Sequence, residues 1–201
     1  MSVYKPQSQL SAVNRDAATR PVKVEPELAR LIVRALEFSE LSGGAFDITY
    51  ASVGYLYDYR GRKYPTEAEI QAALPAINWR HVVVDLDAST VRFLRPGVRI
   101  DLGGIAKGHA VDSAIAILAA RGITHGTVTA GGDSRILGDR RGRPWIVGIR
   151  HPDDRERVIE SAQMDKGIAI YQKSLMHPAA QVEAENARAR ATEAEERVRT
   201  V

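Results

Sequence analysis

The chain has 201 residues, of which 44% are hydrophobic and 26% charged, with a formal net charge of +3; this is an ordinary globular composition with enough chain for one sizeable core. The absence of cysteine excludes disulfides, thiolate metal sites and cysteine nucleophiles, and an aromatic content of 6% with so mild a charge argues against a nucleic-acid surface. No run approaches the roughly 20 apolar residues of a membrane helix, and residues 1–24, MSVYKPQSQLSAVNRDAATRPVKV, lack the apolar centre of a signal peptide.

Those first 24 residues are polar with little periodicity. Pro26 then opens a pattern in which Leu28, Leu31, Ile32, Ala35 and Leu36 share one face, which predicts a helix over 26–42 ended by Gly43-Gly44. FDITYASVGYLYDYRGRKYP follows, aromatic-rich and closing in turn chemistry. Thr66 and Glu69 have the spacing of a capping box and predict a second, short helix. Val82–Val84 and Val91–Phe93 read as strands around an Asp87-Ala88-Ser89 turn, with Val98 and Ile100 forming a further strand into Asp101.

A helix is predicted after GGIAKG, with Ala110, Val111, Ala114, Ile115 and Leu118 on one face and Gly122 at its end. ITHGTVTAGGD reads as a strand stopped by two glycines, and SRILGDRRGRPWIVGIRHP as two strands around a basic hairpin turn. The expected class is α+β (mixed α/β). AAQVEAENARARATEAEERVRTV, residues 179–201, has high helix propensity but no apolar stripe, and reads as a solvated helical or frayed tail, or a weak coiled coil.

DLGGIAKGHAVDSAI, residues 101–115, holds the main chemical signal. A lysine at a helix start faces the positive end of the dipole, an arrangement that costs about 0.3–1 kcal/mol. Glycines let a backbone approach a ligand closely, and helix-start N–H groups attract anions. Lys107 with Gly103 and Gly104 therefore describes either a phosphate seat or a tight turn with an exposed lysine. Asp101, at a strand end, reads as a ligand to ribose, base or metal, or as a turn cap; Asp112 reads as a surface or capping carboxylate.

Gly43-Gly44-Ala45-Phe46-Asp47 and Ala130-Gly131-Gly132-Asp133 repeat the glycine–acid theme, each singly a turn before it is a site. His81, His109, His125, His151 and His177 lack metal-ligand spacing, and no GxSxG elbow occurs. Arg140-Arg141-Gly142-Arg143 is a solvated turn or a docking point for phosphate or an acidic partner. No catalytic residue is assigned from these patterns.

In order, MSVYKPQSQLSAVNRD, SGGAFDITYASVGYLYDY, VRIDLGGIAKGHAVDSA, VTAGGDSRILGD and PWIVGIRHP resemble the ApbE-like FAD:protein FMN transferases, over residues 1–152. The resemblance implies an enzyme that takes FAD as substrate with Mg2+, moves the FMN half onto a threonine or serine hydroxyl of an acceptor protein, and releases AMP. A metal ion and cations near a pyrophosphate suit such chemistry. Residue by residue, it implies FAD contacts at Tyr4, Ala45, Phe46, Asp47, Asp101 and Lys107, and a metal-binding backbone carbonyl at Gly104. It also implies action outside the cytoplasmic membrane, and the composition adds no nucleic-acid partner.

Beyond Pro152 the family continues to a TSGDYER-like motif and a histidine-rich HHIxDPxxG motif. Here ESAQMDKGIAIYQKSLMHP stands instead, with Gly167-Ile168-Ala169-Ile170 where the strand before TSGDYER is expected. The expected organisation is a partial transferase domain over 1–170 and a divergent tail, helical or disordered, over 171–201. Two further readings accompany the enzyme: a non-catalytic FAD-binding module, and an inactive truncated remnant.

Overall fold

The helix expected at Pro26 is present. In the computed structural model, which describes residues 2–150, 158–164 and 169–171, Pro26–Leu41 is helical with proline in its first turn and Leu28, Leu31, Ile32 and Ala35 buried. The described residues divide into two compact units between Ala110 and Val111.

In the first unit, α1 (Gln9–Asp16) precedes a short strand β1 (Val22–Lys23) and α2 (Pro26–Leu41). The polar first 24 residues thus hold a helix that their weak periodicity concealed. Ser8 caps it, its hydroxyl accepting from Ser11 N at 3.1 Å, and Leu10 and Val13 alone carry its buried face. A 3-10 turn (Ile48–Tyr50) leads into α3 (Ala51–Gly54). The capping box forms as expected and starts α4 (Glu67–Ala73): Thr66 Oγ1 accepts from Glu69 N, and Glu69 Oε2 accepts from Thr66 N at 2.8 Å.

β2 (Val82–Asp85) and β3 (Thr90–Phe93) pair antiparallel, and β1 adds to the other edge of β3. Val91, Phe93, Ile32, Ile48 and Val13 meet in one apolar core. Each such side chain contributes about 1.5–3 kcal/mol by leaving water.

The strand expected at Val98–Ile100 does not form. Its backbone is gripped by three separate partners instead of a ladder. Arg99 N donates to Ser52 Oγ at 3.0 Å, Ile100 N to Asn14 Oδ1 at 2.8 Å, and Asp101 N to Ile48 O at 3.0 Å. The Asn14 amide also donates to Ile100 O at 2.9 Å, so one side chain supplies both bonds that a neighbouring strand would. The apolar alternation reports burial correctly, since Val98 and Ile100 are core residues, but burial comes without a sheet.

α5 (Ala106–Ala120) carries the unit boundary. In the second unit its residues Val111 and Ile115 are buried. Gly122, at φ +81°, ends it, with Ile123 N returning to Leu118 O at 3.1 Å. β4 (Gly126–Ala130) is the strand expected before the two glycines, and those glycines turn it into an antiparallel hairpin with β5 (Asp133–Leu137), a pairing that the sequence reading did not include. β6 (Trp145–Arg150) pairs with β7 (Val158–Met164), and β8 (Ala169–Tyr171) with β5.

The hairpin expected between β5 and β6 is therefore corrected. Both edges of β5 are taken, by β4 and β8, and β6 lies in a separate two-stranded sheet. Only the basic turn survives locally, with Arg140 N donating to Arg143 O at 2.8 Å. The architecture is mixed α+β, as expected. Of the tail expected over 171–201, Tyr171 ends β8 and residues 172–201 lie outside the described residues.

Candidate functional site

Three open clefts adjoin one another in the first unit, with volumes of about 590, 360 and 370 Å³. Tyr50 and Asp101 line all three. Tyr4 lines the first two, of 590 and 360 Å³, while Ala45, Phe46, Asp47 and Gly104 line the third. Six of the seven residues singled out from sequence thus meet around one pair of side chains. Two of the three glycine–acid turns converge here; the third, Gly131-Gly132-Asp133, is the β4–β5 turn of the second unit.

Asp101 is placed by the three-partner grip on Arg99, Ile100 and its own amide. Its Oδ1 accepts from Gly103 N at 2.6 Å, which closes the turn into α5. Tyr50, at the end of the 3-10 turn, stands beside it. Tyr50 is 52% exposed, yet partial desolvation against the cleft wall first, then the Asp101 charge and hydrogen bonding, then Tyr4, hold its phenol above the ordinary pKa of 10. The phenol therefore stays a proton donor at neutral pH. Sequence reasoning passed over Tyr50, although the aromatic wealth of residues 46–64 was a signal that this stretch does more than connect.

Asp47 is committed to structure. Its Oδ1 accepts from Thr49 N at 2.7 Å and Thr49 Oγ1 at 2.6 Å, and its Oδ2 from Trp79 N at 2.9 Å. It caps the 3-10 turn that carries Tyr50, so it shapes the cleft while its oxygens serve the fold. Phe46 packs edge-on to Phe38, with ring centroids 6.3 Å apart. A Cβ on Gly104 would stand 3.1 Å from the Phe46 ring, so the close approach of these two cleft walls favours glycine at 104.

Lys107 is exposed, on the second residue of α5, and lines none of the three clefts. No carboxylate among the described residues pairs with it. The cation at the helix start is thus left facing solvent. Asp112 pairs with Arg135 at 3.1 Å, a surface role. His109 meets Glu27 at 2.8 Å, and His125 meets the Asp139 carbonyl at 2.8 Å.

For magnesium, the donor chemistry is incomplete. The backbone hydrogen bonds at the start of α5 fall on the carbonyls of Leu102 and Ile105 and pass over Gly104, so the Gly104 carbonyl is an oxygen of the kind magnesium takes. It is one donor. Among the described residues no group of three histidine, aspartate or glutamate side chains gathers to hold a metal. The described residues alone do not build a magnesium site.

The ApbE family pattern matches residues 1–172. The chain belongs to the ApbE family. Among curated relatives it is 32% identical over 168 residues to the FAD:protein FMN transferase of Treponema pallidum, covering 76% of this chain and 46% of that protein. It is 30% identical over 169 residues to that of Salmonella typhimurium, covering 80% and 48%.

Among solved ApbE structures, the Thermotoga maritima ApbE protein superposes with a TM-score of 0.74 at 34% identity, over 84% of this chain and 55% of that one. The flavin transferase ApbE of Vibrio cholerae superposes with a TM-score of 0.68 at 28% identity, over 86% and 54%. The chain spans about half the length of the curated relatives it matches.

Proposed function

We propose that this chain carries the FAD-holding part of an FAD:protein FMN transferase. The reaction is transfer of the FMN half of FAD to a threonine or serine hydroxyl of an acceptor protein. The hydroxyl oxygen bonds to the FMN phosphorus, the bond from that phosphorus to the bridging oxygen breaks, AMP leaves with that oxygen, and the hydroxyl proton is lost to base or solvent. The observation that carries this reading is the meeting of Tyr4, Phe46, Asp101 and Gly104 in adjoining clefts around Tyr50.

In this reading Tyr4 and Phe46 offer aromatic faces to the flavin. Tyr50 donates a hydrogen bond and Asp101 accepts one, which fixes the orientation of a bound polar group. Lys107 draws the phosphates from the edge by charge. Magnesium, when bound, would neutralise pyrophosphate charge, and the Gly104 carbonyl is the donor that this segment offers it.

The test is an FAD titration of the purified chain with and without magnesium, followed by flavin fluorescence, then incubation with a threonine-bearing acceptor. Saturable, magnesium-strengthened binding with flavin on the acceptor supports the reading. Saturable binding indifferent to magnesium and without transfer supports the second reading, a non-catalytic FAD-binding module, which the single metal donor favours. A folded chain that binds no FAD defeats both.

A further inference from the structure

Residues 55–64, YLYDYRGRKY, form a feature that the FAD reading does not use. Asp58 and Lys63 exchange both backbone hydrogen bonds, at 3.0 and 2.9 Å, and close a tight hairpin. Asp58 Oδ1 also accepts from Gly61 N at 2.8 Å, so the one acid of the segment is spent on its own turn. Tyr57 and Tyr59 stack with centroids 5.6 Å apart, and Tyr64 stands edge-on to both at 6.4 and 6.3 Å. Despite this packing, Tyr59 is 71% and Tyr64 65% exposed. Arg99 lies 4.0 Å over the Tyr55 ring.

Arg60, Arg62 and Lys63 are exposed and have no carboxylate partner among the described residues. The acids that follow face their own helix: Glu67 accepts from Gln71 at 2.7 Å, and Glu69 closes the capping box. The result is a preordered aromatic face with three uncompensated cations. Tyrosine and arginine are the residues that carry most binding energy at protein interfaces, because they offer large area at small entropic cost. Tyr55, Tyr57 and Tyr59 also form one wall of the 590 Å³ cleft, so the patch continues into the site.

We propose that this hairpin is a docking surface for an acidic segment of the flavin-accepting protein, which the tyrosines hold flat while the cations select its charge. The identity of the partner as acceptor rests on the transferase reading. The charge complementarity and the continuity with the cleft are independent of it.

The test uses the full chain and two fluorescein-labelled 12-residue peptides, one with four aspartates around a single threonine, the other with lysines in place of the aspartates. Fluorescence anisotropy is expected to show binding of the aspartate peptide, weakened by salt, and little binding of the lysine peptide. Arg60→Glu combined with Lys63→Glu is expected to weaken the aspartate peptide by about tenfold or more, while Arg60→Lys preserves it and FAD binding is unchanged in both. Melting curves confirm that the variants fold. Equal binding of the two peptides, or indifference to the charge reversal, overturns the proposal.

Binding of a dT12 oligonucleotide or of phosphatidylglycerol vesicles in preference to the aspartate peptide also overturns it. Because FAD is titrated in the same samples, the two readings fail separately. Peptide binding without FAD binding defeats the transferase assignment and keeps the docking surface; the reverse keeps the assignment and defeats the surface.

Discussion

Tyr50 and Lys107 show how differently single residues bear on this site. Tyr50, half exposed, titrates late because partial desolvation leads and Asp101 adds to the shift. Its folded pKa is raised above the unfolded value, so its contribution to stability is complete below pH about 10 and is lost as pH rises through the folded value. An absorbance titration at 295 nm should show a late tyrosine that vanishes in Tyr50→Phe and moves only part of the way back in Asp101→Asn, since the partial desolvation remains. Lys107, exposed and unpaired, has nothing structural to lose. Lys107→Ala should leave the melting curve in place and weaken FAD by about tenfold, the scale of one charge-assisted contact. Unchanged FAD affinity would return the lysine to an ordinary exposed side chain.

Among elements, the 3-10 turn at Ile48–Tyr50 depends most on one side chain. Asp47→Ala removes three hydrogen bonds, including the one that ties Trp79 N to the turn. A loss of about 1–2 kcal/mol in urea unfolding is expected, as for other lost caps; a variant of full stability with weakened FAD binding would instead make Asp47 a ligand residue.

The same element marks the limit of sequence reading. α2, α4, α5, the β2–β3 hairpin and the strand β4 were legible because periodicity, capping boxes and glycine turns are local signals. α1 was not, because two buried residues make a weak stripe. Val98–Ile100 misled, because Asn14, 86 positions away from Ile100 in sequence, replaces the strand that alternation implies. Of the site, the glycine–acid turns were visible as motifs, while Tyr50 acquires meaning only when Asp101 is folded against it.

At the scale of the whole chain, the three clefts lie within residues 1–110, and so does the core that positions them. A ligand that binds only the folded form stabilises it by mass action. FAD at ~100 times its dissociation constant should add about 2.7 kcal/mol and raise the melting midpoint, a shift that a scanning calorimeter reads directly; no shift would mean that FAD does not bind the folded chain preferentially.

The grip on Arg99, Ile100 and Asp101 has a genetic corollary. A strand that gains a residue can bulge and keep most of its ladder. Here each amide has its own recipient, so one extra residue after Val98 misdelivers all of them together and carries Asp101 out of the clefts. The recipients read backbone N–H groups, which every residue but proline supplies, so the grip itself fixes the number of residues here, while burial fixes the side chain of Ile100 and the clefts that of Asp101. In an insertion scan of residues 94–102, tolerance should stop at Val98.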